Sequence, residues 1–246
     1  MHFTHKALRQ SKTYADKTCS VIILQSSLMV VGIFLHLMVI SALFPKLFKT
    51  MPLFLLYVVS VLVSTVTQMV AYVDAGGRSG QYQVFYWLTD VICSALLYAA
   101  LLAFISQIWR ASNKPAPALL TFFFYAMVVV SLAAHHTTPI GRWMTLVSRD
   151  LNFGAVLLNF LLWVSLLRGK RSNPMLGLAS ALGIEMAGGA IGHSLRSLSS
   201  YTVFPGNMII IGSHLLCFFL CWRVLNSWNR LENPRPPIFT GRTQEA

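Results

Sequence analysis

Seven long apolar stretches, separated by short polar loops, take up almost all of this chain of 246 residues. They run over approximately 20–44, 52–73, 83–109, 116–134, 143–167, 175–196 and 203–227. A helix needs about 20 mostly apolar residues to cross a bilayer, and each run is near that length or longer. In hydrocarbon every backbone N–H and C=O must be satisfied within the segment, which a helix achieves. The pattern predicts an all-α membrane protein, a bundle of seven transmembrane helices. A polar N-terminal tail (1–19) and a basic C-terminal tail (229–246) flank the transmembrane domain (20–228), leaving no room for a soluble catalytic or DNA-binding domain.

Composition agrees. Only 11% of residues are charged, against about 25% in a soluble domain. The net charge of +12 does not signal nucleic acid. The Lys and Arg sit in loops and tails, where they set topology and meet anionic membrane lipids. Cys93, Cys217 and Cys221 lie inside apolar runs and Cys19 at an edge, so no disulfide framework is expected. Cys217 and Cys221 share a helix face, but two thiols alone do not make a metal site. No metal or cofactor is expected. The first run is too long for a signal peptide's apolar region and has no small-x-small cleavage site at its end.

Cytoplasmic loops collect Lys and Arg. Lys46, Lys49, Arg110, Lys114, Arg168, Lys170, Arg171, Arg223, Arg230, Arg235 and Arg242 fall on one side of the alternating topology. Arg78, Arg142, Arg149 and Arg196 fall on the other, joined by Lys6, Arg9, Lys12 and Lys17 of the N-terminal tail. Eleven against eight puts the N-terminus outside and the C-terminus in the cytoplasm. The expected location is the cell membrane, multi-pass, as in a bacterial inner membrane.

The runs differ in character. The fourth is almost wholly apolar and is expected to face lipid. The sixth carries Gly177, Gly183, Gly188, Gly189 and Gly192, which let other backbones approach closely, so it is expected to be the most buried. Pro45, Pro52, Pro115, Pro117, Pro139, Pro174 and Pro205 all fall at run boundaries, where proline starts or stops helices at little cost.

A charged side chain near the bilayer centre costs at least ~2.5–3.5 kcal/mol and needs a partner or water. Asp90 lies in the third run, Arg149 and Asp150 in the fifth, Glu185 and Arg196 in the sixth. Gln68, Asn152, Asn159, His193, Asn207, His36 and His214 add uncharged polarity. At ~1.5 Å per residue, Asp90, Arg149, Asp150, Asn152, Asn207, Gln68, His193 and Arg196 are expected near the outer surface. Glu185 and His214 are placed deeper and His36 towards the cytoplasm. The ligand-pocket candidates are thus Asp90, Arg149, Asp150, Asn152, Glu185, His193, Asn207 and His214. The competing reading is an interhelical network in which Asp90 or Glu185 pairs with Arg149. His36 and His214 taken singly are expected to be packing residues.

Several families are excluded. Retinal proteins need a Schiff-base lysine in the last helix, and residues 203–228 hold none. Ile108-Trp109-Arg110 and Asn226-Ser227-Trp228 do not match G-protein-coupled receptor signatures. His214 is followed four residues on by Phe218 rather than the second His of the heptahelical zinc hydrolases. The acid in the second helix of the small membrane terpene cyclases is absent, Gln68 being the most polar residue there.

Met51-Pro52-Leu53-Phe54-Leu55-Leu56-Tyr57 opening the second run, Tyr86-Trp87 with Asp90 opening the third, Arg149 in the fifth and the Gly-rich sixth with Glu185 carry a resemblance. The chain resembles the uncharacterised seven-helix membrane proteins that some bacterial genomes hold in many copies. Its layout is also similar to the seven-helix sensor regions of bacterial histidine kinases. The resemblance implies the seven-helix fold and no activity.

The expected function is a non-enzymatic sensor or binding protein for a small molecule or lipid entering from the outer side. Its expected partners are membrane lipids, a small apolar or amphipathic ligand, and a cytoplasmic or membrane protein, with no nucleic acid. The alternatives are an intramembrane acid–base enzyme acting on a lipid or isoprenoid through Asp90 or Glu185, and a transporter.

Overall fold

A computed structural model describes residue 24 and residues 26–44, 51–75, 80–110, 129, 130, 133, 140–168 and 173–232. Among these, six helices are long and apolar enough to cross a membrane. They are α1 (Ser26–Leu43), α2 (Pro52–Ala75), α3 (Gly80–Arg110), α4 (Ile140–Arg168), α5 (Asn173–Leu198) and α6 (Val203–Glu232). The described residues hold no strand. Of the fourth apolar run only Val129, Val130 and Ala133 are described; they are helical and exposed, and the rest lies outside the described residues. The N-terminal tail and residues 233–246 lie outside them too.

Proline marks the starts. Pro52, Pro174 and Pro205 fall in the first turns of α2, α5 and α6, where a helix has no use for the missing N–H. A 3₁₀ turn (Ser200–Thr202) joins α5 to α6. There Thr202 Oγ1 donates to the carbonyl of Leu195 (2.5 Å) and accepts the Ser199 N–H (3.2 Å). At its far end α6 continues to Glu232, past the run's expected limit. Asn229 Nδ2 holds that last turn by donating to the carbonyl of Ala42 (2.9 Å) on α1.

The side-chain registers fix the directions. Gln68 meets Thr89, and Phe54 meets Phe104, so α2 and α3 are antiparallel. Tyr86 meets Arg196 and Asp90 meets His193, so α3 and α5 are antiparallel. Gly189 lies against Asn152 and Gly183 against Asn159, which makes α4 antiparallel to α5. Gly177 lies against Val224 and Gly188 against Ser213, which does the same for α6. His36 meets His214, and Ala42 meets Asn229, so α1 runs parallel to α6. Thus α1, α3, α4 and α6 point one way, and α2 and α5 the other.

Half of the spanning part of α5 is buried, the largest share of the six, although it has the lowest mean hydropathy. Glycine explains both. Between helices in lipid there is little hydrophobic drive, and association rests on close packing. A β-carbon at Gly192 would stand 2.7 Å from the carbonyl oxygen of Gly206 on α6, and one at Gly189 2.6 Å from Asn152 Oδ1 on α4. Glycine alone lets α5 sit this close to two neighbours. The core holds Tyr57, Tyr98, Phe54, Phe104, Phe218 and Leu182, all fully buried. Exposed apolar side chains (Phe34, Leu56, Leu88, Leu157, Leu216) cover the outside of the bundle. In water such a surface would aggregate, whereas in a bilayer it is the surface expected to meet lipid tails.

Candidate functional site

The polar residues gather into two clusters, both touching α5. The first lies deep between α1, α2, α5 and α6. Tyr57 donates its hydroxyl to Glu185 Oε1 at 2.6 Å. His214 Nδ1 lies 2.7 Å from the same oxygen. His214 Nε2 lies 3.2 Å from His36 Nε2, and His36 Nδ1 lies 2.5 Å from the carbonyl oxygen of Gly32. The four side chains form one unbroken hydrogen-bonded line. Phe218, one turn beyond His214, packs on both imidazoles with ring centroids 4.1 Å and 4.7 Å away. His36 is fully buried. Glu185 Oε2 is buried, and the Cys217 thiol on α6 is a further hydrogen-bond partner of this carboxyl group.

The second cluster lies at the end of the bundle where α3, α4 and α6 begin. Asp90 Oδ2 accepts the Ser148 hydroxyl at 2.6 Å, and His193 Nε2 is 3.5 Å from the same oxygen. His193 is 2% exposed, and its Nδ1 is buried with no hydrogen-bond partner among the described residues. One turn towards the helix ends, Arg196 Nη1 donates to the Tyr86 hydroxyl (3.1 Å), with the guanidinium carbon 5.4 Å from the ring centroid. Gln68 Nε2 donates to Thr89 Oγ1 (2.8 Å) beside Asp90.

The structure sorts the expected candidates. Glu185 and His214 enter the deep cluster, and Asp90 and His193 the other. Asn152 is buried and donates to the Ser148 carbonyl (2.8 Å), so it supports the helix that carries Ser148. Arg149 does not reach Asp90 or Glu185. Its Nε and Nη2 donate to Oδ1 of its neighbour Asp150 (3.0 Å and 2.8 Å) at a part-exposed position. Asn207 follows Gly206 in the α5–α6 contact and joins neither cluster. His36, expected towards the cytoplasm as a packing residue, sits level with His214 and in direct contact with it. Tyr57, Ser148 and Tyr86 are the site residues that sequence reasoning passed over. Tyr57 and Tyr86 stand in the two short motifs quoted above, and that was the one signal pointing to them.

Chemically, the deep cluster combines an acid, two imidazoles and a phenol in mutual contact, a set able to hold and pass a proton. The other combines a carboxylate, a hydroxyl and an imidazole with an open ring nitrogen. Cys217 and Cys221 sulfurs are 3.9 Å apart and both thiols are free. No group of three or more His, Cys, Asp or Glu among the described residues is placed to hold a metal ion.

Fold and site together define a helical multi-pass membrane protein with two buried polar clusters hinged on one glycine-rich helix. The chain matches no protein-family model, no curated protein and no solved structure.

Proposed function

We propose that this chain is a seven-helix sensor or binding protein of the bacterial inner membrane, N-terminus outside and C-terminus in the cytoplasm. It binds a small amphipathic molecule or lipid entering from the outer side and passes its occupancy to a protein partner. Two features support the topology. Basic residues concentrate on one side of the alternating runs. In addition α3 and α4 are parallel although consecutive among the described helices, which supports one further crossing, for which the fourth apolar run is long enough.

The observation that carries the binding reading is His193. A buried ring nitrogen without a partner leaves about 1–3 kcal/mol of hydrogen-bonding free energy unrealised. The ring that carries it has its other nitrogen, Nε2, 3.5 Å from Asp90 Oδ2, at the end expected to face outward. A ligand with an apolar body and a hydroxyl or similar head group satisfies Nδ1 while its body lies against the apolar helix faces. Because α5 carries both His193 and Glu185, a shift of α5 on binding is felt in the deep cluster.

An intramembrane acid–base enzyme is the second reading, favoured by the 2.7 Å contact between Glu185 and His214. Mass spectrometry of molecules that co-purify with the protein, repeated with Asp90→Asn and Glu185→Gln, separates the two. An unmodified ligand held less tightly by Asp90→Asn supports the binding protein. Turnover abolished by either change supports the enzyme. Folded variants and folded wild type that all carry nothing overturn the pocket.

A further inference from the structure

The deep cluster is a closed hydrogen-bonded line, and its protons can be counted. A carbonyl oxygen only accepts, so His36 Nδ1, against Gly32 O, carries a hydrogen. The contact between His36 Nε2 and His214 Nε2 needs one hydrogen, and the contact between His214 Nδ1 and Glu185 Oε1 needs another. The three groups must therefore hold three hydrogens between them. Two neutral imidazoles and a carboxylate hold only two. The third is an added proton, and with it the three groups sum to zero charge, as a low-dielectric interior demands.

We propose that Tyr57, Glu185, His214 and His36 form a buried proton-binding site that joins α1, α2, α5 and α6 through one shared proton. The reading goes beyond ligand binding and does not depend on it. The proton resides on Glu185 Oε1, on His214 or on His36, and moves between these places along existing contacts without any side chain rotating. Tyr57 donates to Oε1 in each state. With only three hydrogens shared among the three groups, a proton on Glu185 Oε2 instead of Oε1 would leave one contact of the line open. Phe218 packs on both imidazoles. The titratable groups facing the line are His36 from α1, Tyr57 from α2, Cys93 from α3, Glu185 from α5, and His214 with Cys217 from α6.

The contacts hold only while the shared proton is present. A further proton taken by either imidazole turns both Nε2 atoms into donors, sets N–H against N–H, and parts α1 from α6. Loss of the shared proton leaves one contact with two lone pairs opposed and one uncompensated buried negative charge. The α1–α6 contact at His36 and His214 therefore exists within a window of pH, closed from both sides.

The test is nuclear magnetic resonance on the full chain in nanodiscs, with histidine rings labelled by nitrogen-15. A nitrogen–nitrogen coupling across the shared hydrogen reports the His36–His214 contact directly. The expected result is coupling at neutral pH that is lost on acidification and on alkalinisation. In Glu185→Gln the amide N–H₂ donates to His214 Nδ1, no added proton is needed, and the coupling persists to higher pH while the acid loss stays. Absence of coupling at every pH in the folded wild type overturns the proposal, and so does an alkaline loss identical in wild type and Glu185→Gln. If that variant does not fold, the wild-type measurement still decides: coupling that is unchanged at acid pH is the overturning result.

Discussion

The hydroxyl of Tyr57 lies 2.6 Å from Glu185 Oε1 although 128 positions separate the two residues in the chain. Tyr57 is 1% exposed, so its hydroxyl makes this contact from within the core. The pair anchors α2 to α5, and the contact from Glu185 to His214 extends the anchor to α6.

Replacing Tyr57 with Phe keeps the ring packing against Phe54 and Phe218 and removes only the donor. A hydrogen bond to an ionisable partner contributes about 1.5–3 kcal/mol. The expected outcome is a stability loss of about that size in thermal unfolding of the detergent-solubilised protein. An unchanged unfolding temperature would show that Glu185 does not depend on Tyr57.

The glycines of α5 give a prediction of sharp position dependence. Gly192→Val sets a side chain against the Gly206 carbonyl and Ile210. Overpacking of this kind costs about 1–3 kcal/mol, and backbone yields less readily than a side chain. Gly212→Ala, on α6 with nothing within 4 Å of the added carbon, is expected to be neutral or stabilising by up to ~1 kcal/mol. Yield and unfolding temperature of the two variants, measured side by side, check the contrast.

The helices were legible because hydropathy and proline punctuation are local properties. The packing role of the sixth run was legible because glycine has a steric meaning in lipid wherever it occurs. The partners were not. His36 and His214 are 178 positions apart, and no periodicity links the faces of two different helices. Depth counted along each run placed His36 too far towards one side, because counting assumes that all helices start at one level. Arg149 shows the converse. Adjacent residues on a helix do not face each other, so Asp150 was passed over in favour of distant acids. The long guanidinium nevertheless folds back onto it.

The ion pairs therefore differ in weight. Arg149 and Asp150 are part exposed, with side chains 29% and 22% accessible, and such pairs contribute about 0–1 kcal/mol. Arg149→Gln is expected to leave stability within that range. Asp90→Ala leaves the Ser148 hydroxyl without its acceptor and the buried His193 without its neighbouring carboxylate, at about 1–3 kcal/mol. If Arg149→Gln proves the more damaging of the two in unfolding experiments, the second cluster does not hold the bundle in the way its geometry implies.

The proposed topology can be read from two exposed positions on α6 and the turn before it. Tyr201 is 92% exposed in the 3₁₀ turn, and Ser227 is exposed near the opposite end of α6. Cys217 and Cys221 are each 1% exposed, so with Cys19 and the part-buried Cys93 replaced by Ser the remaining thiols contribute little background to labelling. A membrane-impermeant maleimide is expected to label Tyr201→Cys in intact cells and Ser227→Cys only after permeabilisation. The reverse pattern would invert the orientation, and labelling of both in intact cells would remove α6 from the membrane. An epitope tag at the N-terminus reports the parity of the crossings. With the C-terminal end of α6 inside, a tag accessible from outside requires an odd number of crossings. The six described helices are an even number, so the odd count assigns the remaining crossing to the chain between the parallel helices α3 and α4.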